Sequence, residues 1–568
     1  MRRLRWSFPL LVLLACGGAP ERPDAAFDDA GADDAGAGDA GALDSGGADS
    51  GAKDPPDAGP RPTLVSLALE VDLTLGRAIS TSSWSFPDGG DCAYLSAPPL
   101  DRVRWGAADA VVSRDGGLLV ACGAPQQPIA DLTAEGPLAA PLAPGTDQGF
   151  AVRQGRVGRF TSVLSWVEGC GRLVACDPHP ALQVPIHFTV IHAPDERVLC
   201  PGRVSAAPRL TTCAPLAPTP SYSGLLLVAA TSWQSALLAQ TDAGVVTLHD
   251  APGSAVRQAL DPAEVSAALD WFTATLGPLP YGPELQVAAG PLTWLGFEGP
   301  GLILLSEEAP DLMLPWTAGT LHAFEHELAH QWAGDRTTLV SAADFTVKET
   351  LAEYLVFRFE EDRAPPRALE TRAYWRRTGL FASTWPRPVG PALPPLIVLA
   401  ADGTGSGPMV LLQLEPLLGR DAVLRAVQAV LRAPGAIGWD ELRVALEQQS
   451  GQALRGYFDA WAFGSGEPDW PVLSAALRQD AAGWFLEVRQ SSPSGRRYPM
   501  QVALEVELSS GARVPMHADF PLEQTPGLVR VALPEAPAAW TIDPDRRLLW
   551  WPDQAPLVRP WAPAGLVF

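Results

Sequence analysis

His326, Glu327 and His330 form the pattern H-E-x-x-H within the segment Leu321-His322-Ala323-Phe324-Glu325-His326-Glu327-Leu328-Ala329-His330-Gln331-Trp332. On a helix, positions i and i+4 share a face, so the imidazoles of His326 and His330 converge on one point. Neutral imidazole suits Zn²⁺, which takes three protein ligands and keeps one position open for water. Glu327, beside the first histidine, could take a proton from a water that zinc has made more acidic. The plain alternative is a solvated helix that happens to carry histidines. One zinc needs a third ligand. Eighteen residues separate His330 from Glu349, in Lys348-Glu349-Thr350-Leu351-Ala352-Glu353-Tyr354. That segment reads as a second helix, with Asp344 near its start; a loop between the two helices would lay them side by side and bring Glu349 to the metal. His322 lies one turn before His326. From i to i+8 a helix rises about 12 Å, too far for one ion, so His322 reads as outer support or packing.

With this spacing the sequence resembles the gluzincin zinc metallopeptidases, and specifically the aminopeptidase N family, as a divergent member. The family has H-E-x-x-H, eighteen residues, then Glu, with Gln-Trp after the second histidine and Tyr five residues past the glutamate; Gln331, Trp332 and Tyr354 match. Asp344 falls where the family often carries Asp, either a partner behind a metal ligand or a helix N-cap. Leu295-Gly296-Phe297-Glu298-Gly299-Pro300-Gly301-Leu302-Ile303 resembles the family's G-A-M-E-N-x-G-L-I. There an edge strand borders the cleft and its glutamate binds the free α-amine of the substrate. The resemblance gives that role to Glu298, although Leu295, Phe297 and Gly299 depart from the motif. The plain alternative is a solvent-facing Glu on an edge strand. Val410 to Gly419 fits the second half of the family's Y-x-K-G-x-x-V-L-x-x-L-E-x-x-L-G. The position of its catalytic tyrosine then falls on Thr404, so a donor for the transition-state oxygen is missing; His322 and Tyr374 are the nearest substitutes. The family often adds a helical domain that roofs the cleft. Strands follow the helical region here instead, so a more open site is expected.

These elements imply a multidomain α+β chain. At 568 residues the sequence is too long for one core,. Residues 1–16 read as a lipoprotein signal peptide: Arg2, Arg3 and Arg5, a short apolar run, then Leu13-Leu14-Ala15-Cys16, which resembles a lipobox with Cys16 as the lipidated residue,. An ordinary secretory leader with Cys16 as bystander is the alternative, and either exports the chain. Residues 17–62 repeat Asp-Ala-Gly steps and read as a disordered, self-repelling linker,. Residues 63–245 show short strands broken by Gly, Pro and Asp, an N-terminal antiparallel β domain. Helical periodicity dominates 246–467, as in Ala263 to Leu276; the resemblance makes this a thermolysin-like, mainly helical zinc peptidase domain. Alternation returns over 468–568, as in Met500 to Leu508, and suggests a C-terminal β-sandwich.

The formal net charge of -23 argues against a nucleic-acid partner, which would need a basic face,. Lysine occurs only at Lys53 and Lys348, a scarcity that reads as genome composition. Cys92, Cys122, Cys170, Cys176, Cys200 and Cys213 are an even set in an exported segment and suggest disulfides,. Neighbour pairing is simplest among 15 connectivities. The sequence thus implies a zinc-dependent, aminopeptidase-like hydrolase of peptide bonds, of low activity and held at the bacterial cell envelope by a lipid anchor. The alternative is a zinc-binding pseudo-peptidase that acts as a surface binding protein, because Thr404 replaces the phenol. Oligomeric state is not legible.

Overall fold

Strand alternation builds the first part of the chain. From Leu67 onward in Thr63–Asp72, and throughout Arg77–Ser85, every second side chain is buried, which puts Leu67, Leu69, Val71 and Trp84 on one inner face,. They lie at the middle of an eight-stranded sheet of Arg203–Ala207, Leu210–Ala214, Ile186–Ile191, Thr63–Asp72, Arg77–Ser85, Ile129–Pro137, Arg102–Trp105 and Ala108–Asp109, in that order. The expected antiparallel arrangement holds except at one seam: Thr63–Asp72 runs parallel to Ile186–Ile191, with Leu67 opposite Ile186. Parallel neighbours need a long crossover, and all the chain between these strands supplies it. The computed structural model describes residues 62–553, apart from 88, 116–117, 142–146, 167–168, 312–316 and 391–392. The leader, Cys16 and the linker up to residue 61 lie outside the described residues.

Disulfides join Cys92 to Cys122, Cys170 to Cys176 and Cys200 to Cys213, the neighbour pairing. Cys170–Cys176 closes a turn, whereas Cys92 and Cys122 stand directly opposite on antiparallel strands that are 30 residues apart in sequence.

The helical part opens on a mixed five-stranded sheet: β1 (Gln234–Thr241), β2 (Gly244–Asp250), β3 (Glu284–Gly290), β4 (Gly296–Gly299) and β5 (Leu302–Ser306), in the order β1-β2-β3-β5-β4. Residue 245, the expected domain edge, falls inside β2. β2, β3 and β5 are parallel, while β4 pairs antiparallel with β5 and forms the edge. Helix α1 (Pro262–Leu276) starts at Asp261, whose carboxylate accepts from Ala263 N, with Pro262 at the first turn where no amide is needed,. Among the helices that follow are α2 (Gly319–His330), α3 (Phe345–Arg363), α4 (Pro365–Leu380) and α5 (Leu396–Leu418). α2 is buried on all sides, and α3 from Phe345 to Glu360. Both are central helices, and their polar side chains must find partners inside.

Two sheets end the described chain. Leu528–Leu533, Gly483–Ser491, Val472–Asp480 and Trp551–Pro552 form one; Arg513–Phe520, Met500–Leu508 and Pro537–Ile542 form the other. Their apolar faces continue the core of the helical region, which runs from Leu269 and Phe324 through Leu411 to Met500 and Val531. The eight-stranded sheet has a second core of its own.

Candidate metal centre and cleft

His326 and His330 stand one turn apart on α2, with ring centroids 4.5 Å apart and Nε2 atoms 2.9 Å apart. Glu349, on α3, turns Oε2 toward both, 3.3 Å from His326 Nε2 and 3.5 Å from His330 Nε2. Around a tetrahedral zinc with bonds of about 2.0–2.1 Å, ligand atoms stand about 3.3 Å apart. The three atoms therefore form a triangle of the size that one such ion spans.

The far nitrogens are engaged as well. His330 Nδ1 donates to Ala333 O at 2.7 Å, which leaves Nε2 with a lone pair,. His326 Nδ1 lies 3.0 Å from Glu353 Oε1. Glu353 sits one turn beyond Glu349 on the same helix face and accepts Trp375 Nε1 at 2.8 Å on its other oxygen. His322 closes the network from behind, with Nδ1 2.9 Å from Glu360 Oε1 and Nε2 3.6 Å from Glu353 Oε1. Burial would lower His322, but Glu360 and Glu353 outweigh it and push it up to about 9. Arg367 pairs with Glu360 and Glu325, so this back cluster already holds its cation.

Glu353 thus takes the outer-partner role for which the sequence offered Asp344. Asp344 is at the N-cap position of α3 but caps nothing with its side chain. Its carboxylate accepts from Ser341 Oγ, Arg387 Nε and Trp439 N and ties the helix start to the neighbouring chain. The signal that could have revealed Glu353 is its i+4 spacing from Glu349.

Glu327 points from α2 toward β4. A Cβ on Gly296 would stand 2.3 Å from Glu327 Oε1, so only glycine lets the edge strand pass there,. Burial pushes the Glu327 carboxyl well up; Glu298 and Glu349 add to that, while His326 and Lys348 oppose it. A divalent cation beside it would work in the opposite direction. Gln331 fixes the strand to the helix: its Nε2 donates to Gly299 O at 3.0 Å and its Oε1 accepts Gly301 N at 2.8 Å. The Tyr354 hydroxyl donates instead to Glu415 of α5.

No family model matches the chain. It is 27% identical over 239 residues to an aminopeptidase N of Streptomyces lividans, covering 37% of this chain and 27% of that protein. In fold it matches the crystal structure of Legionella pneumophila aminopeptidase A in complex with aspartic acid, with a TM-score of 0.71 and 16% identity over 88% of this chain. The chain is thus similar to an aminopeptidase N over part of its sequence and to an aminopeptidase in fold. It spans 27% of the first protein's length and 60% of the second's.

Against the aminopeptidase N pattern, two positions differ from expectation, Glu298 and Thr404. Glu298 lies on β4 beside the cleft, with one carboxylate oxygen in a group with Glu327 and His330 whose ligand atoms all lie within 4.8 Å. It does not face solvent; its carboxylate is paired with the ammonium of Lys348, a residue given no role by the sequence. Thr404 lies inside α5 rather than ahead of it, 2% exposed, with its hydroxyl donating to Ala401 O at 3.0 Å. Tyr374, on α4, shares a hydrogen bond with Thr404, and burial and Glu353 push its phenol up to about 12. The expected open site is closed: His326, His330 and Glu327 are 1% exposed and Glu349 3%. Residues of the first β region close it, with Trp166 against Phe345 and the Leu226 side chain against Gly299.

Proposed function

We propose that the chain is a zinc metallopeptidase that hydrolyses peptide bonds, with His326, His330 and Glu349 holding one zinc. The observation that carries this reading is the triangle of His326 Nε2, His330 Nε2 and Glu349 Oε2, with Glu327 alongside. A bound zinc would supply Lewis acidity to a water and to the scissile carbonyl. Glu327 would hold the proton removed from that water at its carboxylate and pass it to the leaving amine. His330 is oriented for its role by Ala333 O, and His326 by Glu353,. The resemblance to aminopeptidases favours a substrate bound by its N-terminal end at Glu298.

A second reading is a zinc-binding pseudo-peptidase that acts as a surface binding protein. Two observations favour it: Thr404 is locked in a helix where the family has a phenol, and Lys348 already occupies Glu298. The intact Glu327 weighs against it, since a purely structural zinc needs no base.

Either reading is compatible with an exported protein. The three disulfides fit an oxidising compartment,. Together with the basic, apolar leader and Cys16 they favour a lipid-anchored protein of the bacterial envelope, with the acidic linker as tether.

Metal analysis and cleavage of aminoacyl and internally quenched peptides test the assignment together. The purified chain should hold one zinc and His330→Ala should lose it. Glu327→Gln should keep zinc and lose cleavage, because the amide cannot accept the proton. Equal zinc in wild type and His330→Ala would refute the ligand set. Zinc bound with no cleavage of any peptide by the wild type would select the binding-protein reading.

A further inference from the structure

Arginine carries almost all the positive charge of this chain, and Lys348 is the one lysine among the described residues. It stands at the centre of the site, 1% exposed, and not on the surface where lysine is usual,. Its ammonium pairs with Glu298 and lies 3.3 Å from Glu349 Oε1. The stem is held as firmly as the head. A Cβ on Gly334 would stand 2.9 Å from Lys348 Cδ, and Gly334 has φ 129°, so the turn after α2 is shaped around this side chain,.

Glu298 is close enough to Glu327 and His330 that whatever it holds lies next to the reacting bond. A buried carboxylate without a counter-charge would draw in an ammonium, because an unpaired buried charge is costly. Here the counter-charge is built in. A free α-ammonium arriving at Glu298 would have to displace Lys348 or share one carboxylate with it, placing two like charges in a site with little water to screen them. A neutral amide meets no such repulsion. An ammonium also has three donors; two face Glu298 and Glu349, and the third could donate to a backbone carbonyl.

We propose that Lys348 is a specificity-determining residue, an internal substitute for the α-ammonium at Glu298. The site then takes peptides that present an uncharged amide there, N-acylated ends or internal segments, and rejects free amino termini. This rests on the peptidase reading above and narrows its substrate class. It also reverses the role that the family resemblance gives to Glu298.

The test is binding of an alanyl peptide amide and its N-acetyl form to the zinc-loaded full chain by calorimetry, in a Glu327→Gln background that prevents turnover. The acetylated peptide should bind the otherwise unaltered site about ten-fold or more tightly. Lys348→Met should reverse the preference, since Glu298 then lacks a partner. Because that variant strands a buried carboxylate, the double variant Lys348→Met/Glu298→Gln is measured with it; with both charges removed, the two peptides should bind equally. A wild-type site that binds the free amine as tightly as the acetylated form overturns the proposal, as does an unchanged ratio in the double variant. If neither peptide binds any variant while zinc is present, the peptidase reading itself falls and the proposal with it.

Discussion

Glu353 is the side chain on which the orientation of His326 depends. Its Oε1 lies 3.0 Å from His326 Nδ1 while its Oε2 is held by the Trp375 indole. A carboxylate behind a metal-binding histidine fixes the ring and raises its basicity, and its loss typically lowers metal affinity about 10- to 100-fold. Glu353→Gln should therefore weaken zinc binding by that order in a competition with a chromophoric chelator, without the near-complete loss expected of His330→Ala. An unchanged affinity would reduce Glu353 to a structural contact. At this scale the sequence is legible where spacing is local. The convergence of His326 and His330 follows from helical periodicity, whereas Glu349 on the next helix rests on the eighteen-residue spacing that the aminopeptidase N resemblance supplies,. Glu353 was one of four glutamates on that helix, with Glu349, Glu360 and Glu361, and periodicity alone does not say what lies opposite. Lys348 was illegible for a different reason. Its partner Glu298 is on another element, β4, and only the fold brings them together.

α5 shows how an element can match a motif and still not serve its expected use. Its run Gly403-Thr404-Gly405-Ser406-Gly407 packs directly on its neighbours. A Cβ would stand 3.0 Å from Thr346 Cβ at Gly403, 2.1 Å from Thr378 Oγ1 at Gly405 and 1.8 Å from Thr350 Oγ1 at Gly407. These glycines let α5 approach α3 and α4 closely, and Thr350 is the residue after Glu349. Overpacking a tight core typically costs about 1–3 kcal/mol. Gly407→Ala should accordingly lower the midpoint of urea unfolding, and the strain falls on the segment that carries Glu349. An unaltered midpoint would mean that α5 can shift away without loss. The sequence alone suggests Thr404→Tyr as a variant that restores a phenol and raises the rate. The structure replaces that expectation: at 2% exposure inside this helix a phenol has no room, so Thr404→Tyr should destabilise the protein. Strands were more legible than this helix, because alternation in Met500–Leu508 or Thr63–Asp72 states which face is buried. Pairing across the sheet, including the one parallel seam, depends on residues far apart and left no local mark.

Across the molecule, the closed site is the feature with the most direct consequence. The expectation of an open cleft considered only what lies beyond the helical region, whereas the first β region closes the site. Gln183 donates to Asp335 O and Arg336 O, and Thr338 Oγ1 donates to Pro180 O at 2.6 Å, so the turn after α2 is tied to that region. Trp166 and Leu226 pack on the helices and edge strand beside the triad. His326, His330 and Glu349, the proposed ligands, are 1–3% exposed, so a chelator would not reach a metal held by them through simple collision. Release must wait for a local opening, whose free energy is set by the contacts that break. Loss of zinc to a chelator should then rise with chelator concentration and level off, the plateau being the opening rate. Gln183→Ala removes two bonds to the turn and no metal ligand, and should raise the plateau while leaving zinc stoichiometry unchanged. A release rate that stays proportional to chelator concentration throughout, in both proteins, would mean that the metal is reached directly and that the closed form is not the resting state.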